Sequence, residues 1–350
     1  MACAALLATA GGASSARSQA PTLEQLVGQK LVVSMSGTVP SASLLARARR
    51  GDIGGVIVHR FNFSTAAQLR AIAQQLHAAA AAGGQPRLLV AVDQEGGSVK
   101  TVPWIPPSVA PPDAGSVGVA LDQGRRTGSS LRALGVDLDL APVADVPSSR
   151  ASFVYRQGRT WSFDDAATAR LAGAFALGLG QGHELASMKH FPGLGFATAD
   201  TDHALVRIHA SKQHLAAGLT PYRQAVAQHV PLVMLSNVIY DAYDRVNAAG
   251  WSRAISTQLL RGQLGFRGAT ITDSLDGAAH ARGIAPNGLA IGAANAGTDL
   301  ILLTGGEAAT RNVFTSLLRA AQNGRIHRSS LGASYRRILA LKAPVLHGGA

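Results

Sequence analysis

A recurring pattern of short aliphatic runs constrains this chain more than any other feature. Eight runs, rich in β-branched residues, occur at 30–35, 55–59, 88–93, 136–146, 186–190, 232–237, 269–274 and 299–304. Between them lie Ala- and Leu-rich stretches with helical spacing, among them 64–82, 163–180, 212–229 and 256–264. A strand that is apolar on both faces belongs in a parallel sheet covered by helices on both sides. Eight strand–helix units in 350 residues fit an α/β chain folded as a (β/α)8 TIM-type barrel. A doubly wound open sheet alternates in the same way and is the other architecture the pattern allows. No linker divides the chain, and the Pro-rich stretch 103–113 reads as a rigid loop, so a single domain is expected over 21–350.

The ends of the runs carry polar groups: His59, Asp93, Asp145, Lys189 with His190, Asn237 and Asp273. A barrel gathers its catalytic groups at the carboxyl ends of its strands. A polar residue can also end a buried strand for solubility alone, so the argument rests on their convergence.

Composition removes several function classes. Hydrophobic residues make up 47% of the chain and charged residues 15%, enough to build a large core. No apolar run reaches the roughly 20 residues of a membrane span, so no integral membrane segment is expected. The net charge is +12, yet the basic residues are scattered without interleaved aromatics, which argues against a nucleic-acid partner. A single cysteine, Cys3, excludes a disulfide framework and a thiolate metal site. Residues 1–20 offer a short apolar run followed by small residues, as in the tail of an export leader. Export to the cell envelope or beyond is therefore expected, with a cytoplasmic location as the alternative. Cys3 could carry a lipid only if a further segment lay upstream.

Three segments carry chemistry. In 88–102 an apolar strand ends at Asp93, and Gly96 and Gly97 allow a sharp turn that brings backbone close to a ligand. A carboxylate there can accept two sugar hydroxyls, or simply cap the turn. In 186–205 a strand ends at Lys189 and His190 and leads into a Gly- and Pro-containing loop with Asp200, Asp202 and His203. A histidine beside carboxylates can act as a general acid/base. The spacing matches no standard metal motif. In 265–279 a strand ends at Asp273 at the barrel mouth, where a carboxylate can serve as the nucleophile that a retaining glycosidase needs or simply solubilise the strand end. Asp276 falls in the first helical turn, a position suited to capping.

Taken in order, GQKLVVSMSG, GGVIVHRFNF, VAVDQEGG, LGVDLDLAPVADV, GRTWSFDD, MKHFPGLG, VMLSNVIY and LLRGQLGFRGATITDS resemble glycoside hydrolase family 3. The resemblance is to its single-domain β-N-acetylglucosaminidase (β-N-acetylhexosaminidase) branch and runs from about Leu23 to Leu341. It implies a retaining exo-acting hydrolase that removes terminal N-acetylglucosamine from peptidoglycan fragments or related glycans through a covalent glycosyl-aspartate. Asp273 would be the nucleophile, and Asp93, Arg159, Lys189 and His190 would bind the sugar. No metal and no organic cofactor is implied, and a monomer acting on a carbohydrate substrate is expected.

The chain departs from the family pattern where the acid/base should lie. The branch places a histidine in Asp-x-His, whereas this loop reads Asp200-Thr201-Asp202-His203. His203 is the expected acid/base, with Asp200 or Asp202 as alternatives. The family's usual histidine after KHFPG is Leu194, and Ser98 and Thr101 stand where arginines are usual, with Lys100 adjacent. A β-glucosidase, a glycoside phosphorylase and a catalytically impaired glycan-binding barrel remain alternative readings.

Overall fold

A computed structural model describes residues 20–347. Eight parallel strands form the sheet: β1 (Leu31–Ser34), β2 (Gly55–Ile57), β3 (Leu89–Val92), β4 (Leu138–Asp139), β5 (Leu185–Phe191), β6 (Leu232–Leu235), β7 (Ala269–Thr272) and β8 (Ile301–Leu303). Each lies within one of the eight aliphatic runs, apart from a one-residue overhang at either end of β5. The strands pair in chain order, and β8 returns to β1 with Leu31 opposite Ile301. The arrangement is an α/β barrel of the TIM type.

Alternate residues fill the two sides. Val32, Leu89, Ala91, Leu138, Met234 and Ile271 point into the barrel, whereas Leu31, Val33, Val90 and Val92 pack outward under the helices. With both sides buried the strands stay apolar throughout, which is the pattern seen in the sequence. The helices Ala66–Ala82, Val117–Ala133, Asp165–Gln181, Lys212–Ala227, Pro286–Ala296 and Glu307–Gln322 surround the sheet. Their starts are chemically marked: Thr65 forms a capping box with Gln68, and Asp164 and Ser211 cap the helices that follow them. The last helix, Arg328–His347, closes one end, with Ile338 and Leu341 joining the interior cluster.

Two details differ from the sequence reading. The fourth run, expected as strand over 136–146, pairs as β4 only at Leu138–Asp139, followed by an isolated bridge between Val143 and Lys189. Pro142 lies between them and has no N–H to give a ladder. The residues 254–263 wind as a π-helix.

The joint between β7 and β8 is built differently from the other seven. Elsewhere neighbouring strands share a backbone register. Here a single bridge joins Ile271 to Leu300, and side chains continue the seam. Leu302 N–H donates to Thr272 Oγ1 at 3.0 Å, Thr304 N–H to Asp276 Oδ2 at 2.8 Å, and the Ser274 and Thr304 hydroxyls meet at 2.6 Å. The role expected for Asp276, in the first turn of Leu275–His280, is thus structural.

Candidate active site

The carboxyl ends of the strands open into a cavity of about 280 Å³. Its lining includes Asp93, Arg159, Lys189, His190, Asp202 and Asp273, drawn from strand ends and loops far apart in sequence. The volume lies just below the roughly 300–1,000 Å³ of ordinary small-molecule pockets, which suits one sugar ring rather than a long oligosaccharide.

One side of the cavity is a closed network of charges. Beyond β3 the chain turns back as a hairpin of Gln94–Gly96 and Val99–Lys100, with Gly96 at φ 99°. Gln94 turns away and fixes this hairpin through bonds to Val102 and Pro106. Asp93 and Glu95 therefore emerge on the same side, two residues apart along extended backbone. The Lys189 ammonium sits between them, 2.6 Å from Asp93 Oδ1 and 2.7 Å from Glu95 Oε1. Arg159 donates to both Glu95 oxygens, at 2.7 Å from Nε and 2.8 Å from Nη2. Burial alone would raise the Glu95 carboxyl, but Lys189 and Arg159 outweigh it and hold it at about 2. Burial lowers Lys189 in turn, and Asp93 and Glu95 carry it above its ordinary value.

His190 is fixed from behind. Its Nδ1 lies 2.8 Å from Asp145 Oδ2, and Asp145 Oδ1 accepts the N–H groups of His190 and Leu194. Asp145 is fully buried, so the imidazole is oriented by a carboxylate that a ligand cannot reach. The Lys189–His190 and Phe191–Pro192 peptide bonds are both cis.

The opposite side has unpaired carboxyl groups. Asp273 follows β7, with its N–H donating to the Leu235 carbonyl at 2.8 Å and its Oδ1 accepting from Ser274 N–H at 2.7 Å. Asp202 faces it from the loop after β5. The buried Asp202 Oδ1 has no hydrogen-bond partner among the described residues. It lies against the backbone of Gly277, where an added Cβ would come within 2.2 Å of it. Burial first, then the charge of Asp273, then that of Asp200, push the Asp202 carboxyl up to about 7. Asp200 Oδ1 accepts the Asp202 N–H at 3.0 Å and so holds the turn that presents it.

His203 lies elsewhere. Its side chain is 76% exposed, stands 4.0 Å from Asp200 and meets His280 edge-on, and it is not among the groups lining the cavity. The cavity therefore receives Asp202 where His203 was expected.

Residues 22–341 match the glycosyl hydrolase family 3 N-terminal domain. The chain belongs to glycosyl hydrolase family 3. A secreted glycosyl hydrolase of Arthroderma benhamiae is 30% identical over 327 residues, covering 90% of this chain and 92% of the relative. A β-hexosaminidase of Bordetella avium is 34% identical over 276 residues, covering 73% and 75%. Among solved structures, the β-N-acetylhexosaminidase of Beutenbergia cavernae superposes with a TM-score of 0.86 at 30% identity, covering 93% of this chain and 99% of that one. A β-N-acetylglucosaminidase of a Paenibacillus species gives 0.88 at 31% identity; this chain covers 64% of that longer protein with 95% of its own length.

As a family 3 member the protein is a glycoside hydrolase acting on O-glycosyl bonds, and its departures from the family pattern take a definite form. Leu194 is buried, and its N–H binds Asp145. Counted from Asp200, Asp202 occupies the place of the histidine in Asp-x-His. Lys100 donates to the Pro103 carbonyl at 3.2 Å and does not line the cavity, so Arg159 and Lys189 are the cations there.

Sequence reasoning missed Glu95, Asp145 and His59 as site residues. Glu95 could have been found from its two-residue offset from Asp93. Asp145 and His59 stood at strand ends but had no partner visible in sequence.

Proposed function

We propose that this family 3 hydrolase is a retaining exo-β-N-acetylhexosaminidase in which Asp273 is the nucleophile and Asp202 the general acid/base. The observation that carries this reading is the pairing of two carboxyl groups across one small cavity, with Asp202 raised to about 7 by burial and by the charge of Asp273. Two carboxyls driven apart in proton affinity can divide into an attacking base and a proton donor.

In the first step an Asp273 oxygen bonds to the anomeric carbon while the glycosidic C–O bond breaks. The leaving oxygen takes the Asp202 proton. In the second step water attacks the anomeric carbon, gives its proton back to Asp202 and releases Asp273, so the β-configuration is retained. Asp93, Lys189, His190 and Arg159 bind and orient the sugar from the other side, and their mutual bonds hold them in place beforehand.

The preference for an N-acetylated sugar follows the β-hexosaminidase relatives, and fragments of peptidoglycan with terminal N-acetylglucosamine are the proposed natural substrates. The secreted relative and the expected leader favour export. Except for Ala20, that leader lies outside the described residues.

The test is hydrolysis of nitrophenyl N-acetyl-β-glucosaminide, with the product anomer followed by NMR and the intermediate trapped by a fluorinated glycosyl fluoride. Release of the β-anomer and a labelled Asp273 peptide are expected. An α-product, or a label elsewhere, overturns the mechanism. A carboxylate acid/base also repels an anionic acceptor, so added phosphate should not divert the product to a sugar phosphate.

A further inference from the structure

The strands enter the barrel on the face opposite the cavity, and cations that are scattered in the sequence gather there. Beyond Glu307 the sequence has no Asp or Glu, against six arginines and one lysine. The last helix, Arg328–His347, lies across that face. Lys342 Nζ donates to Gln29 Oε1 at 2.7 Å and to the Gly54 carbonyl at 2.8 Å, and Ser334 Oγ donates to Asp299 Oδ1 at 3.0 Å. The outer side of this helix and the loop before it expose Arg325, Arg328 and Arg336. Arg49, near the end of the helix Ala42–Arg50 that leads to β2, is exposed as well, and so is Arg267 just before β7. The strands β7, β8, β1 and β2 are neighbours in the barrel, so these five side chains share one sector of the face.

Acidic groups do not balance them. In the segments that form this sector, Asp52 and Asp299 are buried and held by Arg50, Arg261 and Arg337, which leaves Glu24 as the exposed acid there among the described residues. None of the five exposed arginines takes part in an ion pair among the described residues. A cation in the last turn of a helix, as Arg49 is, also serves the helix dipole. That account fails for Arg328 in a first turn, for Arg336 in mid-helix, and for Arg325 and Arg267 outside helices. Arg328 Nη2 donates to the Pro21 carbonyl at 3.1 Å, so the chain also enters the barrel at this sector.

We propose that this sector, with Arg49, Arg267, Arg325, Arg328 and Arg336, docks the protein on an anionic lipid bilayer and turns the cavity away from the membrane. Cations spread across a broad face, rather than along a groove, suit a flat array of phosphate headgroups, and each arginine near such a surface strengthens binding about fivefold. None of the large exposed hydrophobic side chains of the described residues belongs to this sector. The contact is therefore electrostatic and reversible, with no inserted apolar anchor. It is independent of the chemistry assigned to Asp273 and Asp202.

The test is co-sedimentation of the full chain with vesicles of phosphatidylcholine alone and of phosphatidylcholine mixed with phosphatidylglycerol. Binding to the anionic vesicles only is expected, with release at about 1 M salt, where screening shortens to about 3 Å. Arg325→Glu combined with Arg336→Glu should lower the binding constant about 30-fold or more. The same change of charge on the cavity face, made at the exposed Arg150 and Arg245 as Arg150→Glu with Arg245→Glu, should lower it by less than about threefold. Both pairs are exposed, so the melting temperatures should stay close to wild type. A wild-type protein that ignores anionic vesicles, or equal losses in the two double variants, overturns the docking face. Transfer of the bound protein to soluble poly(glycerol phosphate) at the same phosphate concentration overturns it too, because a polymer would then be the preferred occupant.

Discussion

The two sides of the cavity treat charge in opposite ways. On the β3–β5 side, Asp93, Glu95, Lys189 and Arg159 neutralise one another through short bonds, and Asp145 fixes His190. On the β7 side, Asp273 and Asp202 face each other with no cation bonded to either among the described residues, and the Asp202 carboxyl rises to about 7. A neutralised network is stiff and indifferent to the reaction, as a surface that holds a sugar should be. Two carboxyl groups left to repel each other differ in proton affinity, and the proposed bond cleavage draws on that difference.

The sharpest way to break this contrast is Asp273→Ala. Turnover should drop by about 10⁴-fold or more, because the variant has lost the proposed nucleophile. Asp202→Asn comes next, with a loss of about 10²–10⁴-fold on natural glycans and a smaller one on nitrophenyl glycosides, whose leaving group needs little protonation. Wild-type kcat/KM on a glycan should fall as pH rises through about 7, where Asp202 loses its proton, and Asp202→Asn should lack that descent.

On the holding side, Glu95→Gln leaves Lys189 and Arg159 with an uncompensated buried charge. It should cost about 3 kcal/mol of stability and raise KM. The Glu95 carboxyl is held at about 2 against an ordinary 4.5. Its stabilisation is therefore complete above about 4.5 and lost as pH falls toward 2, so wild type and variant should converge in acid melting curves.

Gly277→Ala tests the seat of Asp202. The new methyl would meet Asp202 Oδ1 at 2.2 Å and displace it, lowering kcat about tenfold while the ionic network and KM stay close to wild type. Smallest should be His203→Ala, within about threefold of wild type on a natural glycan, since its ring faces solvent. A loss as large as that of Asp202→Asn would return the acid role to the histidine.

The holding side was the more legible in sequence. Asp93, Lys189 and His190 end apolar runs, as Asp273 does on the other side, and a strand's end fixes both a residue's height and its direction. Arg159 came only through a motif, because it lies on a loop after the short helix Phe153–Arg156. The choice between Asp202 and His203 was not legible. Adjacent loop residues point in different directions, and which one enters the cavity depends on the Asp200 turn and on the bare backbone of Gly277, more than seventy residues away in the chain. Glu95 was overlooked because its value lies in joining Lys189 to Arg159, a relation that no single segment displays.

The seam between β7 and β8 gives Asp273 an unusual foundation. Seven joints of the barrel are fastened by main chain in register. The eighth has main-chain bonds only between Leu300 and residues Thr270 and Thr272, and beyond them it is continued by Thr272, Ser274, Asp276 and Thr304, on either side of Asp273 in the chain. The seat of Asp273, the proposed nucleophile, thus rests in part on replaceable hydroxyl and carboxyl groups. Point substitutions along this one stave can retune reactivity while the rest of the barrel keeps its shape.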